Sequence, residues 1–424
     1  MEELHEARKD DRTEFQRDYD RLIFSAPFRR LQNKTQVFPL PGSVFVHNRL
    51  THSLEVSCVG RSLGNDVANQ LLKKHPDLVD SHISEIGSIV SAACLAHDLG
   101  NPPFGHSGEK AISTYFSEGQ GMALKKELSP MEWDDLTHFE GNANAFRILT
   151  HQFEGRRKGG FVMTYSTLAS IVKYPFSSQL AGKKSKFGFF LSEEADYQKI
   201  AGELGIIRLS KPDEPLRYAR HPLVYLVEAA DDICYQMMDI EDAHKLKLLT
   251  HDETKGLYMQ FFDEKRRKRI VTDVNEQIAY LRSSVIGALI KECTRVFTEN
   301  EEKILTGEFE GTLIMHICSP LKEAYDNCSA IAFQRIYRSS DVLDIELAGF
   351  RVISTLIDLM INAVRSPEKA YSQLLINRVS GQYNVNAPTL YGKIQAVLDY
   401  ISGMTDVYAL DLYRKIKGNS LPAV

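Results

Sequence analysis

The sequence predicts an all-α protein that folds as a single compact domain over residues 1–424. Apolar residues recur at helical spacing in its long segments, as with Leu63, Val67 and Leu71. Alternating strand patterns are sparse. From residue 251 onward the chain continues in amphipathic segments with few glycines or prolines until its end. We therefore expect helices packed on helices, without a sheet.

Composition excludes several classes of protein. The chain has 424 residues, 43% of them hydrophobic and 25% charged, as in ordinary globular proteins. Its net charge of −5 argues against a dedicated nucleic-acid binder. The six cysteines form no C-x-x-C pair, which predicts reduced thiols and a cytoplasmic location. We expect no membrane span, since no apolar run approaches the roughly 20 residues required. The acidic start Met1–His5 predicts no signal peptide.

The first ligand-facing candidates lie near the N-terminus. An arginine-rich stretch over residues 6–38 ends in a polar cluster that includes Gln36. Apolar anchors flank this cluster, which favours a loop facing a ligand, although solvent-exposed mixed-charge helix faces are common as well. A long helix is then predicted from about residue 46. Arg49 and His52 lie three positions apart in it, and therefore on one face.

The most informative stretch is 97–109, which follows a buried helix predicted over residues 86–96. An adjacent His97 and Asp98 at the end of such a helix have little reason to be there for packing. The two prolines after Asn101 stop the helix, because the residue before a proline is pushed out of the α region. Gly105 allows a sharp turn into a second helix. His106 and Glu109, at i and i+3, then share one face of that helix.

Two later segments add candidates. Residues 176–221 are lysine-rich and weakly periodic, a polar excursion that is either a solvated face or a lid facing phosphate. Pro222 fits the first turn of the next helix. On that helix Asp231, Tyr235 and Asp239 fall at i, i+4 and i+8, along one line. An aspartate in such an apolar helix is costly unless it is paired or binds a cation.

These helices together predict a metal site. His52, His97, Asp98 and Asp231 supply two imidazoles and two carboxylates from three helices. This mixed nitrogen and oxygen set suits a divalent cation such as Mn²⁺, Fe²⁺ or Mg²⁺ with positions left for water and substrate. It lacks the thiolates typical of structural zinc.

The chain resembles a known family through the order of these residues. A histidine, then His-Asp, then an aspartate is the pattern of the HD-domain phosphohydrolases, and within them the chain is similar to the deoxyguanosine triphosphate triphosphohydrolases. Seven segments carry the likeness: Phe28–Phe38, Arg49–Val56, His97–His106, Phe139–Ala143, Leu168–Pro175, Glu228–Ile233 and Asp399–Asp406. The resemblance implies an HD core over about residues 45–245 and a C-terminal helical part over 250–424.

The resemblance also implies a reaction. A deoxynucleoside triphosphate, with dGTP favoured, would be hydrolysed at the α-phosphorus to deoxynucleoside and tripolyphosphate. The metal, Mn²⁺, Mg²⁺ or Fe²⁺, would be held by the four residues named above. Asp231 is favoured over Asp232 because Tyr235 and Asp239 follow on its face.

Further roles follow from the same resemblance, residue by residue. His106 and Glu109 match the catalytic pair, in which a carboxylate orients an imidazole for proton transfer. Gln36 and Asp239 match positions that bind the sugar 3′-hydroxyl, and Tyr235 the position that packs on the deoxyribose and excludes a 2′-hydroxyl. The phosphate contacts match Arg49, Lys173 and, as a third, Lys186.

Two alternatives remain open at this stage. One is an HD-type nucleotidase or phosphodiesterase acting on other nucleotides; the lysines at 173 and 183–186 speak against it, because a monophosphate needs fewer cations. The other is a catalytically silent nucleotide sensor, which the complete set of candidate ligands disfavours. The resemblance further implies a homo-oligomer, often a hexamer, and a nucleotide or single-stranded DNA effector as in some members.

Overall fold

The computed structural model describes residues 11–38, 46–156, 158–262 and 273–419. The protein is 68% helical with no strand among those residues, which confirms the all-α prediction. Four isolated β-bridges are its only extended pairings within the described ranges. The expectation for Met1–His5 concerns residues outside them.

Eighteen α-helices lie within the described residues. They are α1 (Glu14–Ile23), α2 (Ala26–Arg30), α3 (Arg49–Lys74), α4 (Ile86–Ala96), α5 (Gly105–Ser117), α6 (Pro130–Thr137), α7 (Gly141–Thr150), α8 (Tyr165–Ile171), α9 (Glu194–Glu203), α10 (Val224–Lys245), α11 (His251–Met259), α12 (Val274–Glu299), α13 (Glu301–Leu305), α14 (Leu321–Ile331), α15 (Ser340–Arg365), α16 (Ala370–Ile376), α17 (Leu390–Ser402) and α18 (Asp406–Ile416). The helix predicted from Pro222 begins two residues later.

Two hydrophobic cores organise these helices. The first surrounds α3, α4 and α10, and the second surrounds α5, α15 and α17. Gly64 and Gly87 let α3 and α4 approach closely, since a Cβ on Gly64 would lie 2.7 Å from the Cα of Gly87. The stretch 97–109 runs from α4, in the first core, to α5, in the second. Its two polar pairs are therefore anchored in different cores.

The turn before α5 is tighter than the sequence suggested. Gly105, which was predicted to allow a sharp turn, has a left-handed backbone with φ of 56°, and Phe104 is also left-handed, with φ of 62°. The Phe104 amide donates to Asp406 Oδ1 over 2.9 Å, and its side chain packs directly on Gly349 of α15. Contacts from the C-terminal helices therefore hold a non-glycine residue in a conformation that costs energy by itself.

A buried lysine ties this turn to the rest of the chain. Lys34 is 2% exposed, and its ammonium donates to the carbonyl oxygens of Asn101, over 2.6 Å, and Ser402, over 2.8 Å. Burial lowers the pKa of Lys34 to about 7. The next residue, Thr35, donates its amide to Asp406 over 2.8 Å. Segments from both ends of the chain are thus fastened around the loop between α4 and α5.

Segment 176–221, expected as a polar excursion, contributes to the core. Its large aromatic side chains are buried, with at most 1% exposure: Phe187, Phe189, Phe190 and Tyr197. Its lysines mask this apolar content in the composition. The segment also contains α9 and three of the four isolated β-bridges in the described residues. Part of it therefore has a structural role that its charge run did not predict.

Helix α15 has the length and apolar composition of a membrane span, with a hydropathy of 1.6. No span was predicted there because charged residues such as Arg351 and Asp358 interrupt the apolar run. Half of its most apolar window is buried inside the protein, and buried core helices pass the same test. Its inward residues Ile353, Leu356 and Ile357 are fully buried in the second core. All six cysteines are free, as predicted, and four of them are buried.

Candidate active site

The four predicted metal-binding residues come together between α3, α4 and α10. The ligand atoms of His52, His97 and Asp98 all lie within 4.8 Å of one another. Asp231 Oδ1 lies 3.2 Å from His52 Nε2 and 3.4 Å from His97 Nε2. Of the two neighbouring aspartates, Asp231 is thus the one whose carboxylate contacts both histidines.

Local structure orients these side chains. Asn48 caps α3 by accepting the Thr51 amide over 3.0 Å, which places Arg49 and His52 on the first two turns. The His97 Nδ1–H donates to the Cys94 carbonyl over 2.6 Å, so its Nε2 is directed into the cluster. Fixing one imidazole nitrogen in this way is how proteins orient a metal-binding histidine.

The donor set fits a divalent cation. His97 Nε2 and Asp98 Oδ2 are buried and have no hydrogen-bond partner within the described chain; the 3.4 Å between His97 Nε2 and Asp231 Oδ1 is an ion-pair contact. Buried polar atoms are rarely left without one, so two such atoms side by side indicate a missing ligand. Two imidazoles with two carboxylates match the ligand preferences of Mn²⁺, Fe²⁺ or Mg²⁺ better than those of a thiolate site.

The charges in the cluster stabilise one another. Burial alone would raise the pKa of Asp231, but the charges of Lys173 and His97 hold it well below its usual value. The pKa of Asp98 is likewise lowered, against burial, by Arg49 and His97. Burial opposes the charged form of His97, whereas Asp98 and Asp231 raise its pKa overall. Both carboxylates are therefore ionised at neutral pH, as cation binding requires.

His106 and Glu109 form the predicted pair on the first turns of α5. The His106 Nδ1–H donates to Glu109 Oε2 over 2.8 Å, and Glu109 Oε1 accepts the Gly141 amide over 2.7 Å. The imidazole is 78% exposed, whereas the Glu109 side chain is 12% exposed. The hydrogen bond to Glu109 and its charge raise the pKa of His106. The pair combines a buried carboxylate with an imidazole accessible from the cavity.

A cavity of about 280 Å³ joins the cluster and the pair. It is lined by ten of the twelve predicted site residues and by five neighbours. The ten are Gln36, Arg49, His97, Asp98, His106, Glu109, Lys173, Lys186, Asp231 and Tyr235, and the five are Asn101, Glu140, Asn142, Tyr174 and Asp232. His52 and Asp239 are not among the described residues that line it. The predicted phosphate-binding cations Arg49, Lys173 and Lys186 all face this space.

Each of the three cations is paired with a carboxylate. Arg49 lies 2.9 Å from Asp98, and Lys173 lies 2.8 Å from Asp231. Lys186 pairs instead with Glu140, over 2.7 Å. Two of the cations therefore neutralise candidate metal ligands, whereas the third pairs with a carboxylate outside that cluster.

The predicted sugar-binding residues are brought together only in part. Gln36 lines the cavity, and its Oε1 is buried with no partner in the described residues. Tyr235 also lines the cavity, with its ring 6.4 Å from that of His52. Asp239 is 4% exposed, and its Oδ2 accepts the Tyr337 hydroxyl over 2.6 Å. Burial raises the pKa of Asp239 to about 7.

Sequence reasoning missed two residues at this site. Tyr337 stacks on Tyr235 with ring centroids 5.9 Å apart, and it covers Asp239. It lies almost 100 positions beyond Asp239, and no local pattern marks it. Glu140 lies within the segment Phe139–Ala143 that carries the family likeness, but no role was predicted for it, although a glutamate directly before Gly141 and Asn142 is a visible signal.

Comparisons with known proteins agree with this geometry. Residues 49–174 match the model of the HD domain, and residues 316–415 match that of the phosphohydrolase-associated domain. The chain is 39% identical over 430 residues to a deoxyguanosinetriphosphate triphosphohydrolase-like protein of Pseudomonas aeruginosa, covering 97% of this chain and 95% of the relative. A Synechocystis protein of the same description is 37% identical over 435 residues, with the same two coverages, 97% and 95%. The deoxyguanosinetriphosphate triphosphohydrolase of Yersinia enterocolitica is 29% identical over 487 residues, covering 95% and 93%.

Proposed function

Because this chain belongs to the deoxyguanosinetriphosphate triphosphohydrolase family of HD-domain proteins, we propose that it hydrolyses deoxynucleoside triphosphates to deoxynucleoside and tripolyphosphate. At the coarser level it is a metal-dependent phosphohydrolase. The names of its relatives favour dGTP as the preferred substrate. We place the activity in the cytoplasm, where free thiols such as those of this chain stay reduced.

The observation that carries the proposal is the content of one cavity. The candidate metal cluster, the pair His106–Glu109 and three cations all border the same 280 Å³. A triphosphate carries several negative charges, so three cations around one cavity suit it better than they suit a monophosphate. The convergence also disfavours a silent sensor, which needs no proton-transfer pair beside its ligand.

The metal fits the residues that would hold it: His52, His97, Asp98 and Asp231. When bound, a divalent ion supplies polarisation of the α-phosphate and a lowered pKa for the attacking water. The protein's own groups do the rest. Arg49, Lys173 and Lys186 bind and orient the phosphates. Arg49 and Lys173 now pair with Asp98 and Asp231. When these two carboxylates turn to the cation, Arg49 and Lys173 become available for the phosphates.

His106 is positioned to move a proton. Its Nδ1–H is committed to Glu109, which leaves Nε2 for the substrate or a water. Water adds to the α-phosphorus and the bond from that phosphorus to the 5′-oxygen breaks, so the water gives up one proton and the leaving oxygen gains one. An imidazole whose pKa is raised holds such a proton at neutral pH, and Glu109 stabilises its charged form.

Sugar selection is proposed for the part of the cavity that Gln36 and Tyr235 line, here called the sugar end. Tyr235 would pack on the deoxyribose and leave no room for a 2′-hydroxyl. The Asp239 carboxylate would accept the single proton of the 3′-hydroxyl, beside or in place of its present partner Tyr337, and the Gln36 side-chain amide would donate to the oxygen of the same hydroxyl. Homo-oligomer formation and a nucleotide or single-stranded DNA effector remain proposals drawn from the family.

A product assay tests the proposal directly. The purified protein is incubated with Mn²⁺ and each dNTP, or GTP, and the products are resolved. Deoxynucleoside with intact tripolyphosphate from dGTP, and no product from GTP, is the expected result. Monophosphate with pyrophosphate would place cleavage between the α- and β-phosphates and contradict the proposed geometry. Absence of turnover with every dNTP, with and without added second nucleotides, would favour the sensor.

A further inference from the structure

Glu140 is an unusual residue at the start of α7. Its carboxylate accepts the amides of Asn142, over 2.5 Å, and Ala143, over 3.2 Å, and so caps the helix. Helix N-caps are normally Ser, Thr, Asp or Asn, whose short side chains suffice for this purpose. A glutamate reaches one methylene further than capping requires.

The additional reach brings the carboxylate to the cavity. Glu140 Oε1 accepts the Lys186 ammonium over 2.7 Å and the Asn142 side-chain amide over 2.7 Å. Glu140 is 1% exposed, so these charge-assisted contacts form away from bulk water. One oxygen atom thus fixes two cavity-lining donors that would otherwise be free to rotate.

The same helix start also holds the catalytic pair. The Gly141 amide, directly after Glu140, donates to Glu109 Oε1, and Glu109 in turn orients His106. A Cβ at Gly141 would lie 2.7 Å from Glu109 Oε1, so a side chain at this position would displace the Glu109 carboxylate. Two buried carboxylates, Glu109 and Glu140, therefore share the N-terminus of α7.

Lys186 differs from the other two cavity cations. Arg49 and Lys173 pair with Asp98 and Asp231, which have a competing use as candidate metal ligands. Glu140 has no such use, so its contact with Lys186 can persist when metal and substrate are present. A buried carboxylate beside a polyphosphate site repels the substrate, because both are negatively charged. Its presence is understandable if it holds the side chains that bind the phosphates in place.

We infer that Glu140 is a positioning residue: its carboxylate holds Lys186 and Asn142 toward the substrate phosphates and sets the start of α7 against Glu109. The inference rests on the proposed function for the identity of the substrate. Glu140 itself touches no reacting atom and acts through Lys186, Asn142 and Glu109.

The variant Glu140→Asp separates positioning from capping. Aspartate is a good N-cap and keeps the negative charge, but it withdraws the carboxylate from Lys186. We expect an unchanged or higher melting temperature, together with kcat/KM for dGTP lowered about 10- to 100-fold, as for other groups that support a reactive shell. Inorganic tripolyphosphate, titrated by calorimetry without metal, is expected to bind about two- to tenfold more weakly, the effect of ordering one long side chain.

Two comparisons make this test specific. Ser129→Ala removes the side-chain cap of α6, whose residues do not line the cavity, and should lower the melting temperature without changing kcat/KM. In a Lys186→Met background, Glu140→Asp should lower tripolyphosphate affinity by less than about twofold, because interacting residues are not additive. Wild-type behaviour of Glu140→Asp in both kinetics and binding, or full additivity with Lys186→Met, would overturn the inference.

The two proposals fail in distinguishable ways. If the wild-type protein yields no deoxynucleoside and tripolyphosphate, the proposed function fails, and the calorimetric titration alone decides the role of Glu140. If the wild type is active and Glu140→Asp matches it, only the positioning role fails. If Glu140→Asp does not fold, Lys186→Met tests the same contact while Glu140 still caps α7. Unchanged tripolyphosphate affinity of Lys186→Met would then overturn the inference.

Discussion

The two ends of the cavity are prepared to different degrees. At the metal end, His52, His97, Asp98 and Asp231 already converge, with His97 Nε2 and Asp98 Oδ2 lacking partners among the described residues. At the sugar end, Gln36 Oε1 is likewise without a partner among the described residues, whereas Asp239, which does not line the cavity, accepts the Tyr337 hydroxyl. The metal end therefore has two ligand atoms without a hydrogen-bond partner in the described chain, although its carboxylates must still turn from Arg49 and Lys173 to a cation. At the sugar end, the Asp239 carboxylate is covered by the Tyr337 hydroxyl. We therefore expect metal binding and sugar selection to respond to different substitutions.

We expect the largest effect, on metal content and on turnover, from Asp231→Asn. Loss of this carboxylate should remove the metal and lower turnover by at least about 10⁴-fold, since water without the ion loses its lowered pKa. Elemental analysis after dialysis against Mn²⁺ measures the first effect, and a dGTP assay the second. Asp232→Asn is the matched control and should retain the metal. Unchanged manganese in Asp231→Asn would transfer the ligand role to Asp232.

His106→Ala should lower turnover without affecting metal binding or dGTP binding. We expect turnover lowered about 10²- to 10⁴-fold, as for loss of a general acid or base. Metal content and dGTP binding should stay as in the wild type, because His106 is exposed and lies outside the metal cluster. Single-turnover kinetics and calorimetry make the measurement. A rate within a few-fold of wild type would remove His106 from the mechanism.

The pH dependence of kcat/KM tests the pairing of His106 with Glu109. Because Glu109 raises the pKa of His106, Glu109→Gln lowers that pKa. The limb of the kcat/KM profile that reports His106 should therefore move to lower pH, with kcat falling about 10- to 100-fold. The profile is measured with saturating Mn²⁺ across neutral pH. A limb that does not move belongs to another group.

The smallest expected effect lies at the sugar end. Tyr337→Phe keeps the ring stacked on Tyr235 but removes the hydroxyl that Asp239 accepts. Asp239 is then free for the 3′-hydroxyl, and the preference for a dNTP over its 3′-deoxy analogue should rise about two- to tenfold, the value of one hydrogen bond. The ratio of kcat/KM for the two substrates is the measurement. An unchanged ratio would show that Asp239 does not exchange partners.

The sequence was informative where short spacing creates the geometry. The helix ending before His97, the turn at Gly105 and the shared face of His106 and Glu109 all follow from local rules, and α4 and α5 occur as predicted. The convergence of His52, His97 and Asp231 could be inferred from residue types. The assigned roles of these residues stay predictions.

Contacts between distant segments were beyond such rules. Tyr337 reaches Asp239 from the turn that follows α14, and Asp406 stabilises the left-handed Phe104 from α18. Neither contact is indicated by the periodicity or the composition of the sequence. The buried aromatics within 176–221 were missed because the lysines around them dominate the composition. Local chemistry was readable, while its tertiary support was not.

The contacts of Lys34 have a practical consequence for engineering. Its ammonium bridges the carbonyl of Asn101, inside the HD-domain match, and that of Ser402, inside the phosphohydrolase-associated match. The two matched regions therefore depend on each other and could not be exchanged independently between relatives. Fragments divided between α16 and α17 should be inactive apart and regain hydrolysis only on reassociation. This chain would accordingly suit a split-enzyme reporter, in which nucleotide turnover reads out the meeting of two fused partners.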